Sequence, residues 1–301
     1  MSELIRKNAS ELVDLLKKGE VSSVELTQAH LARTAQVDGA VHSYLHVGPE
    51  AALAAAADVD RRRAAGEKLH DLAGLPIAVA FFSSLDPAME IDLLVEEGQQ
   101  VAAGTDLMRL RGNARAMLTA ERSALNTVQH LSGIATLTRQ YVDAISGTGC
   151  TLLDTRKTIP GLRVLEKYAT RMGGATNHRM GLWDAAMIKD NHVAVAGGVA
   201  EAVRRAKVAG VERIILEVDR LDQIEPGLAA GATHLLLDNM DASVLRQAVA
   251  LVAGRVPTEA SGGVTLQTIR AKAETGVTYV SVGRLTQSAP AVDIGLDFTL
   301  A

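Results

Sequence analysis

Short apolar runs that end in charged or hydrogen-bonding residues recur along the second half of this chain. Between the first two of them, residues 161–173 predict a helix with Leu162, Leu165 and Ala169 on one face. Strands that alternate with helices predict a parallel sheet covered by helices. Seven such strands favour an open α/β barrel over a doubly wound sheet, although the pattern alone barely separates the two folds. The runs lie at 151–154, 175–176, 186–188, 214–218, 235–237, 259–260 and 279–282.

The first part of the chain, residues 1–70, has a helical pattern instead. An apolar stripe ends at Gly19, and Ser22 with Glu25 forms a capping box for a second helix. Pro49 then opens an alanine-rich helix. Nothing in these helices carries chemistry by itself.

The middle of the chain predicts a small β unit followed by helix. Two strands are expected at 89–95 and 106–110, and two successive helices at 114–130 and 131–146. The fold class is therefore α/β: a seven-stranded open α/β barrel with a smaller, atypical helical plus β N-terminal domain. We expect three parts, at 1–72, 73–113 and 114–301, with the last residues returning to the N-terminal domain.

Composition narrows the class of partner. The 301 residues are 48% hydrophobic and 22% charged, with a net charge of −4 and a pI near 6.1, so no global basic field favours nucleic acid or a membrane surface. The single Cys150 excludes an internal disulfide and is typical of a reducing compartment. The amino terminus carries charges where a signal peptide needs an apolar run. We expect a cytoplasmic protein.

Cations follow three successive strands. Because the carboxyl ends of parallel strands meet at one rim, these side chains should converge on an anion site for carboxylates or phosphates. For any one of them a solvated charged edge is the alternative, but the repetition favours a site. The residues are Arg156, Lys157, Arg179 and Lys189, with His178 beside them.

The later strands bring acidic and small residues to the same rim. Glu217 and Asp238 suit Mg²⁺ bound with a phosphorylated ligand, or stabilisation of a developing positive charge, and a structural ion pair is the alternative. Ser261, Gly262 and Gly283 follow the last two strands, where backbone N–H groups can approach a phosphate without a Cβ in the way.

The motifs from about residue 73 to the end together resemble the nicotinate-nucleotide pyrophosphorylase, or quinolinate phosphoribosyltransferase, family. The order of DTRKT, NHRMGL and IKDNH is highly specific. The other motifs are AERSALN, LSGIATLT, LLDN, ASGG and SVG. The resemblance implies an N-terminal sandwich domain, a seven-stranded open barrel, and Mg²⁺-dependent transfer of phosphoribose from phosphoribosyl pyrophosphate to quinolinate with loss of CO₂.

The resemblance also implies roles for the rim residues and a homodimer with shared active sites. Quinolinate's carboxylates would be held by Arg156, His178, Arg179 and Lys189, with Arg122 entering from the other protomer. Lys157 would face the phosphoribosyl donor, and Glu217 and Asp238 its ribose and metal. Ser261, Gly262 and Gly283 would face its 5′-phosphate. Lys157, Glu217 and Asp238 are the expected catalytic residues.

Two departures from the family pattern stand out. Gln287 stands where the family usually has a histidine, so one rim contact that the resemblance implies would be made by a different side chain. Residues 9–79 resemble instead the start of the amidase-type component of glutamyl-tRNA amidotransferase, and the two families overlap in an AGLP-like stretch at 72–78. That amidase has a lysine where this chain has Ala80, and the segment with its two serines is missing, so amidase chemistry is excluded.

Two other functions stay open at this point. One is a related phosphoribosyltransferase that acts on a different aromatic acid. The other is an inactive chimera that serves only as a binding module through its helical segment. An assay with quinolinate against nicotinate separates the first from the leading hypothesis, and the oligomeric state on purification separates the second.

Overall fold

The computed structural model describes residues 18–41, 49–64 and 77–298, with Leu4, Leu12, Leu15 and Leu16 as isolated positions before them. The chain forms two compact units, residues 1–76 and residues 77–301, and each is described by itself. The predicted boundary at residue 72 lies outside the described residues, as does most of the 72–78 overlap. Within the described ranges no helix is long and apolar enough to cross a membrane.

The first unit contains helices α1 (Ser23–Val41) and α2 (Pro49–Ala64). The capping box forms as predicted, because the Glu25 N–H donates to Ser22 Oγ at 3.0 Å and the Ser22 N–H donates to Glu25 Oε2 at 2.9 Å. Asp60 of α2 accepts the N–H groups of Ser23 and Val24. The Asp60 carboxylate thus bonds to the first backbone N–H groups of α1 and links the two helices.

The second unit begins with α3 (Ile77–Leu85) and a two-stranded antiparallel sheet. Strand β1 (Glu90–Leu93) pairs with β2 (Met108–Arg111), which confirms the two predicted strands with shorter bounds. Helix α3 and this two-stranded sheet pack against the next helix. The buried residues of the resulting apolar cluster are Ala78, Phe82, Met89, Met117, Ala120 and Ala124.

That next helix, α4 (Ala114–Ala144), is continuous, so the prediction of two successive helices is wrong. Asn113 caps it by accepting two backbone N–H groups, and Gly133 does not interrupt it. A Cβ on Gly133 would lie 2.1 Å from the carbonyl oxygen of Pro290. The absence of a side chain at Gly133 therefore lets the backbone at Pro290 pack directly against α4. Leu296 then reaches the cluster beneath β1 and β2.

The rest of the second unit is an α/β array with an all-parallel sheet in the order β3-β8-β7-β6-β5-β4. The strands are β3 (Thr151–Leu153), β4 (Ala186–Ile188), β5 (Ile214–Val218), β6 (His234–Asp238), β7 (Thr258–Ser261) and β8 (Tyr279–Ser281). The helices are α5 (Arg163–Met172), α6 (Asp190–Ala196), α7 (Val199–Val208), α8 (Ile224–Ala230), α9 (Ala242–Val252), α10 (Leu266–Ala273) and α11 (Arg284–Gln287), with a 3₁₀ turn at Leu221–Gln223 before α8.

The sheet therefore has six strands, not the seven that the sequence predicts. The missing one, expected at 175–176, is reduced to a single parallel bridge between Thr176 and Leu153. The chain leaves this position at once because Asn177 and His178 bond to Asp154, which directly follows β3. The bridge still lies beside β3, at the sheet edge opposite β4.

Strand alternation divides the side chains of the array into two sets. The outer set, which includes Ile214, Leu216, Leu235 and Leu237, joins the main core beneath the helices. The intervening residues form a separate inner cluster, defined by Ala185, Ile215 and Leu236 with Met187 against it. A residue that follows an inner-cluster residue by two positions on the same strand therefore also faces the interior, and it lies nearer the strand's carboxyl end.

Candidate active site

The acidic rim residues stand on the inner face of neighbouring strands. Glu217 follows Ile215 by two positions on β5, and Asp238 follows Leu236 by two positions on β6. Asp238 is the Cα partner of Ser261 on β7. Glu217, Asp238 and Ser261 thus share the interior side of one rim, as the strand pattern predicts.

Lys189 and Glu217 form an ion pair across this rim. Lys189 directly follows β4, and its Nζ lies 2.5 Å from Glu217 Oε2. The lysine side chain is 46% exposed and the glutamate 14%, so the lysine remains accessible from the rim. The resemblance assigns these two residues to different ligands, whereas here each is the other's partner.

Arg179 is a buried cation, with 6% relative exposure. Its Nη1 donates to the carbonyl oxygen of Ala185 at 2.9 Å, and within the described part of the chain no carboxylate lies within 4.0 Å of its guanidinium. Burial lowers the pKa of Arg179, nearby Arg156 lowers it further, and Asp184 acts in the opposite direction. Two guanidinium groups close together, one of them buried, form a site for an anion with carboxylate geometry.

Arg163 of α5 joins the two loops that carry these arginines. Its Nε donates to Thr158 Oγ1 at 3.0 Å, and its Nη1 donates to the carbonyl oxygen of Met180 at 3.3 Å. The loop after β3 and the loop after Thr176 are thereby held side by side. The sequence analysis missed Arg163 because its contacts are to backbone and hydroxyl groups that no local pattern indicates.

His178 is buried, and both its ring nitrogens are engaged inside the protein. Nδ1 accepts the N–H of Arg179 at 2.7 Å, and Nε2 lies 3.2 Å from Glu259 Oε2. The resemblance implies a direct carboxylate contact for this residue, but in this structure the ring has no free nitrogen for one.

A buried ion pair lies beneath the same loop. Lys167 Nζ is 2.5 Å from Asp154 Oδ1, and both side chains are almost fully buried. Asp154 also accepts from Thr170, from Asn177 and from the N–H of His178. Burial lowers the pKa of Lys167, while Asp154 opposes that shift. This network fixes the end of β3 to the loop that presents Arg179.

The glycines at the rim are places where a side chain has no room. A Cβ on Gly262, whose φ is +86°, would lie 2.1 Å from Asn239 Oδ1. A Cβ on Gly283 would lie 2.8 Å from Lys157 Cδ, so Lys157 runs along Gly283, which follows the neighbouring strand β8. At both positions the missing Cβ makes room for a side chain from another loop, Asn239 beside Gly262 and Lys157 beside Gly283.

Two predicted residues lie apart from this cluster. Arg122 is on α4 with a 71% exposed side chain, and its ion-pair partner is the adjacent Glu121 at 3.6 Å. Gln287 ends α11 and is exposed. The contacts of the described residues do not bring Arg122 to the arginine pair.

The acidic residues do not form a closed metal site. In the described ranges no group of three or more His, Cys, Asp or Glu side chains is arranged to hold a metal ion. Glu217 bonds to Lys189, and Asp238 Oδ2 accepts from Asn239 Nδ2 at 2.6 Å. This donor set fits Mg²⁺ that arrives with substrate phosphates, because Mg²⁺ is usually held by one or two carboxylates, phosphate oxygens and water.

Two domain matches cover most of the chain. Residues 134–297 match the quinolinate phosphoribosyl transferase C-terminal domain, and residues 54–132 match the N-terminal domain of the same family. This chain belongs to the quinolinate phosphoribosyltransferase family. The N-terminal match begins inside the 1–72 segment, so part of that segment has a family counterpart. The amidase resemblance of residues 9–79 finds no support in these matches.

Individual relatives of the family agree with the domain matches. The probable nicotinate-nucleotide pyrophosphorylase [carboxylating] of Synechocystis sp. is 45% identical over 230 residues, which cover 75% of this chain and 78% of that protein. The Bacillus subtilis protein of the same name is 42% identical over 231 residues, with 76% and 80% covered. A relative from Nicotiana tabacum is named a mitochondrial quinolinate phosphoribosyltransferase, so the cytoplasmic location stays a prediction.

Solved structures of the family share the fold. The nicotinate-nucleotide pyrophosphorylase of Francisella tularensis superposes with a TM-score of 0.69 at 43% identity, covering 72% of this chain and 78% of that one. The Ehrlichia chaffeensis protein gives a TM-score of 0.72 at 39% identity, covering 74% and 82%. The predicted α/β fold with a small N-terminal domain that contains β-strands is thus confirmed.

Proposed function

We propose that this phosphoribosyltransferase transfers the phosphoribosyl group of phosphoribosyl pyrophosphate to quinolinate, giving nicotinate mononucleotide, pyrophosphate and CO₂. The observation that carries the proposal is the pair formed by buried Arg179 and nearby Arg156, in which the buried cation lacks a carboxylate partner within the described residues. A buried cation without a partner is unfavourable, and an anionic substrate supplies the missing charge.

The arginine pair and Lys189 would bind the acid. Quinolinate carries two carboxylates, and a guanidinium presents two parallel N–H donors that match a carboxylate. Arg179 is held at Nη1 by Ala185, which leaves its other donors for the ligand. Lys189 is half-exposed, so it can turn from Glu217 towards the second carboxylate.

Other residues of the rim would bind the donor. Lys157 lies along Gly283, and its backbone carbonyl accepts from Thr286 Oγ1 at 2.7 Å, which fixes the position of its loop. Its ammonium would approach the donor's phosphates. Ser261 and Gly262, at the end of β7, would contribute hydroxyl and N–H donors to the 5′-phosphate.

Glu217 and Asp238 would stabilise the sugar as its bond to pyrophosphate breaks. The anomeric carbon gains positive charge at that point, and carboxylates fixed at the rim favour a positive charge nearby. Mg²⁺, bound with the donor, would neutralise the departing pyrophosphate. Movement of Lys189 towards the acid would break its ion pair with Glu217. The negative charge of the Glu217 carboxylate could then stabilise the positive charge on the sugar.

Decarboxylation then needs no protein base. The new bond makes the ring nitrogen quaternary, and its positive charge stabilises the electron pair left on the adjacent carbon when CO₂ departs. That carbon then takes a proton from water, which gives nicotinate mononucleotide. The protein's contribution is positioning and charge, so no residue is assigned as a nucleophile.

Arg122 would complete the acid site from a second copy of the chain. The proposal rests on its exposed position on α4 and on the family resemblance. A homodimer with shared active sites follows from it.

The test is a product assay with quinolinate or nicotinate as the acceptor, in the presence of phosphoribosyl pyrophosphate and Mg²⁺. Quinolinate is expected to yield nicotinate mononucleotide and CO₂ in equal amounts, and nicotinate to yield little product. Turnover of nicotinate in preference to quinolinate would support the alternative of a transferase for another aromatic acid. Absence of turnover with both would support a binding module.

A further inference from the structure

The main chain of His178 is held from both sides. Its N–H donates to Asp154 Oδ1 at 2.7 Å, and its carbonyl oxygen accepts from Lys167 Nζ at 2.9 Å. Asp154 and Lys167 also bond to each other, and both are buried. With the peptide fixed in this way, the remaining freedom of His178 is the orientation and tautomer of its ring.

The hydrogen bonds of the ring specify its tautomer. Nδ1 accepts the N–H of Arg179, so this nitrogen carries the lone pair. The proton of the neutral ring is then on Nε2, which faces Glu259 Oε2 at 3.2 Å. A carboxylate can only accept, and it therefore favours this tautomer over the other. The chain of contacts runs from Glu259 through His178 to Arg179.

Glu259 is an unusual residue to find in this position. It is fully buried on β7, between the strands that carry His234 and Tyr279. Burial alone would raise its pKa, but contacts with His178, His234 and Ser281 outweigh burial and hold the pKa at about 2. His234 Nε2 lies 3.0 Å from the same oxygen without hydrogen-bond alignment, and Oε1 has no partner in the described part of the chain.

Burying a carboxylate has a desolvation cost, which only close partners offset. Apolar residues of similar size commonly replace buried ionic groups without loss of stability. The arrangement is better explained by what Glu259 does to its neighbour His178. Through His178, Glu259 also acts on Arg179. The N–H of Arg179 bonds to the His178 ring, and its guanidinium is the buried cation of the acid site.

We propose that Glu259 is a positioning residue for acid binding, which fixes His178 in its Nε2–H tautomer and thereby holds the main chain of Arg179. Glu259 makes no contact with substrate in this account. The inference rests on the proposed function, because quinolinate is the acid that the arginine pair would bind.

Two substitutions separate the acceptor role from packing. Glu259→Leu removes the acceptor and fills the space, so we expect quinolinate affinity, measured by calorimetry without turnover, to fall on the order of tenfold. Glu259→Gln keeps a carbonyl oxygen that can accept from Nε2–H, and its affinity should stay within about threefold of the unsubstituted chain. Glu225→Gln, which alters an exposed partner of Arg255, is the matched control and should change nothing.

The outcomes distinguish this inference from the function on which it rests. If the unsubstituted chain does not bind quinolinate, the proposed function fails. If it binds and Glu259→Leu binds equally well, or if the leucine and glutamine variants are weakened alike, the positioning role of Glu259 is wrong.

A nitrogen NMR spectrum of the ¹⁵N-histidine-labelled chain tests the tautomer without any change at Glu259. The His178 signal, assigned by its loss in His178→Asn, should have the shifts of a neutral ring protonated at Nε2. A ring protonated at Nδ1 would overturn the inference even if both Glu259 variants failed to fold.

Discussion

Arg179→Met keeps most of the arginine's length and removes its charge. In the unliganded protein the charge is unfavourable, because Arg179 is buried, has one carbonyl partner and lies near Arg156. We therefore expect the variant to melt at the same temperature as the unsubstituted chain or higher. Loss of the bond to the Ala185 carbonyl oxygen offsets part of this gain, whereas loss of an arginine with a purely structural role would clearly lower the melting temperature.

The loss of the Arg179 charge should weaken the binding of quinolinate. The donors that Ala185 does not use can form two charge-assisted hydrogen bonds with a carboxylate, each worth roughly 1.5 kcal/mol at the lower end. A loss of about 3 kcal/mol corresponds to a roughly hundredfold weaker interaction. The KM for quinolinate should rise by that order, and the KM for phosphoribosyl pyrophosphate should change little.

The assay combines steady-state kinetics with thermal melts. Quinolinate should raise the melting temperature of the unsubstituted chain and leave that of Arg179→Met unchanged, because a ligand stabilises only the state that it binds. Arg255→Met, which removes an exposed arginine paired with Glu225, is the control and should not alter the KM. An unchanged quinolinate KM for Arg179→Met, or a raised KM together with a clearly lower melting temperature without ligand, would refute the reasoning.

Three further predictions concern the contact between protomers, the first unit and the buried acid. Mixing inactive Arg122→Ala chains with inactive Lys157→Ala chains should restore part of the activity, because one site of each mixed dimer keeps both residues. If activity does not recover although the protomers are proven to exchange, Arg122 belongs to the site of its own chain. Replacing residues 1–53, which precede the N-terminal family match, with a family amino terminus should raise activity and melting temperature together. Equal values for the native chain would show that its own segment is a working substitute. Because the pKa of Glu259 is held at about 2 against an ordinary value of 4.5, its ionisation stabilises the fold above pH 4.5, and this contribution is lost as the pH falls towards 2. The difference in unfolding free energy between the unsubstituted chain and Glu259→Gln should shrink by about 2 kcal/mol between pH 6 and pH 3, whereas a constant difference would contradict the assigned ionisation.

The rim residues could be predicted from the sequence because strand direction and side-chain alternation are local properties. Glu217 and Asp238 each follow an apolar run, and in a parallel sheet the ends of such runs meet at one rim. The convergence of Lys189 with Glu217 needed only the pairing of β4 with β5.

The buried network could not be predicted, because its partners are distant in sequence. His178 and Glu259 meet across 81 positions, and no periodicity links them. Helix α5 was assigned an apolar face, yet it buries Glu166 and Lys167, because Asp154 and His130 supply polar partners from other elements. The single bridge at Thr176 likewise depends on the contacts of Asn177 with α5, which override the local strand pattern.

The most direct test of the account is CO₂ release from quinolinate labelled in the carboxylate next to the ring nitrogen. With phosphoribosyl pyrophosphate and Mg²⁺ present, the chain should release one labelled CO₂ for each pyrophosphate formed, and Arg179→Met should need a far higher quinolinate concentration for the same rate. Pyrophosphate formed without labelled CO₂, or no release by the soluble, folded chain, would contradict the assignment of this site to quinolinate.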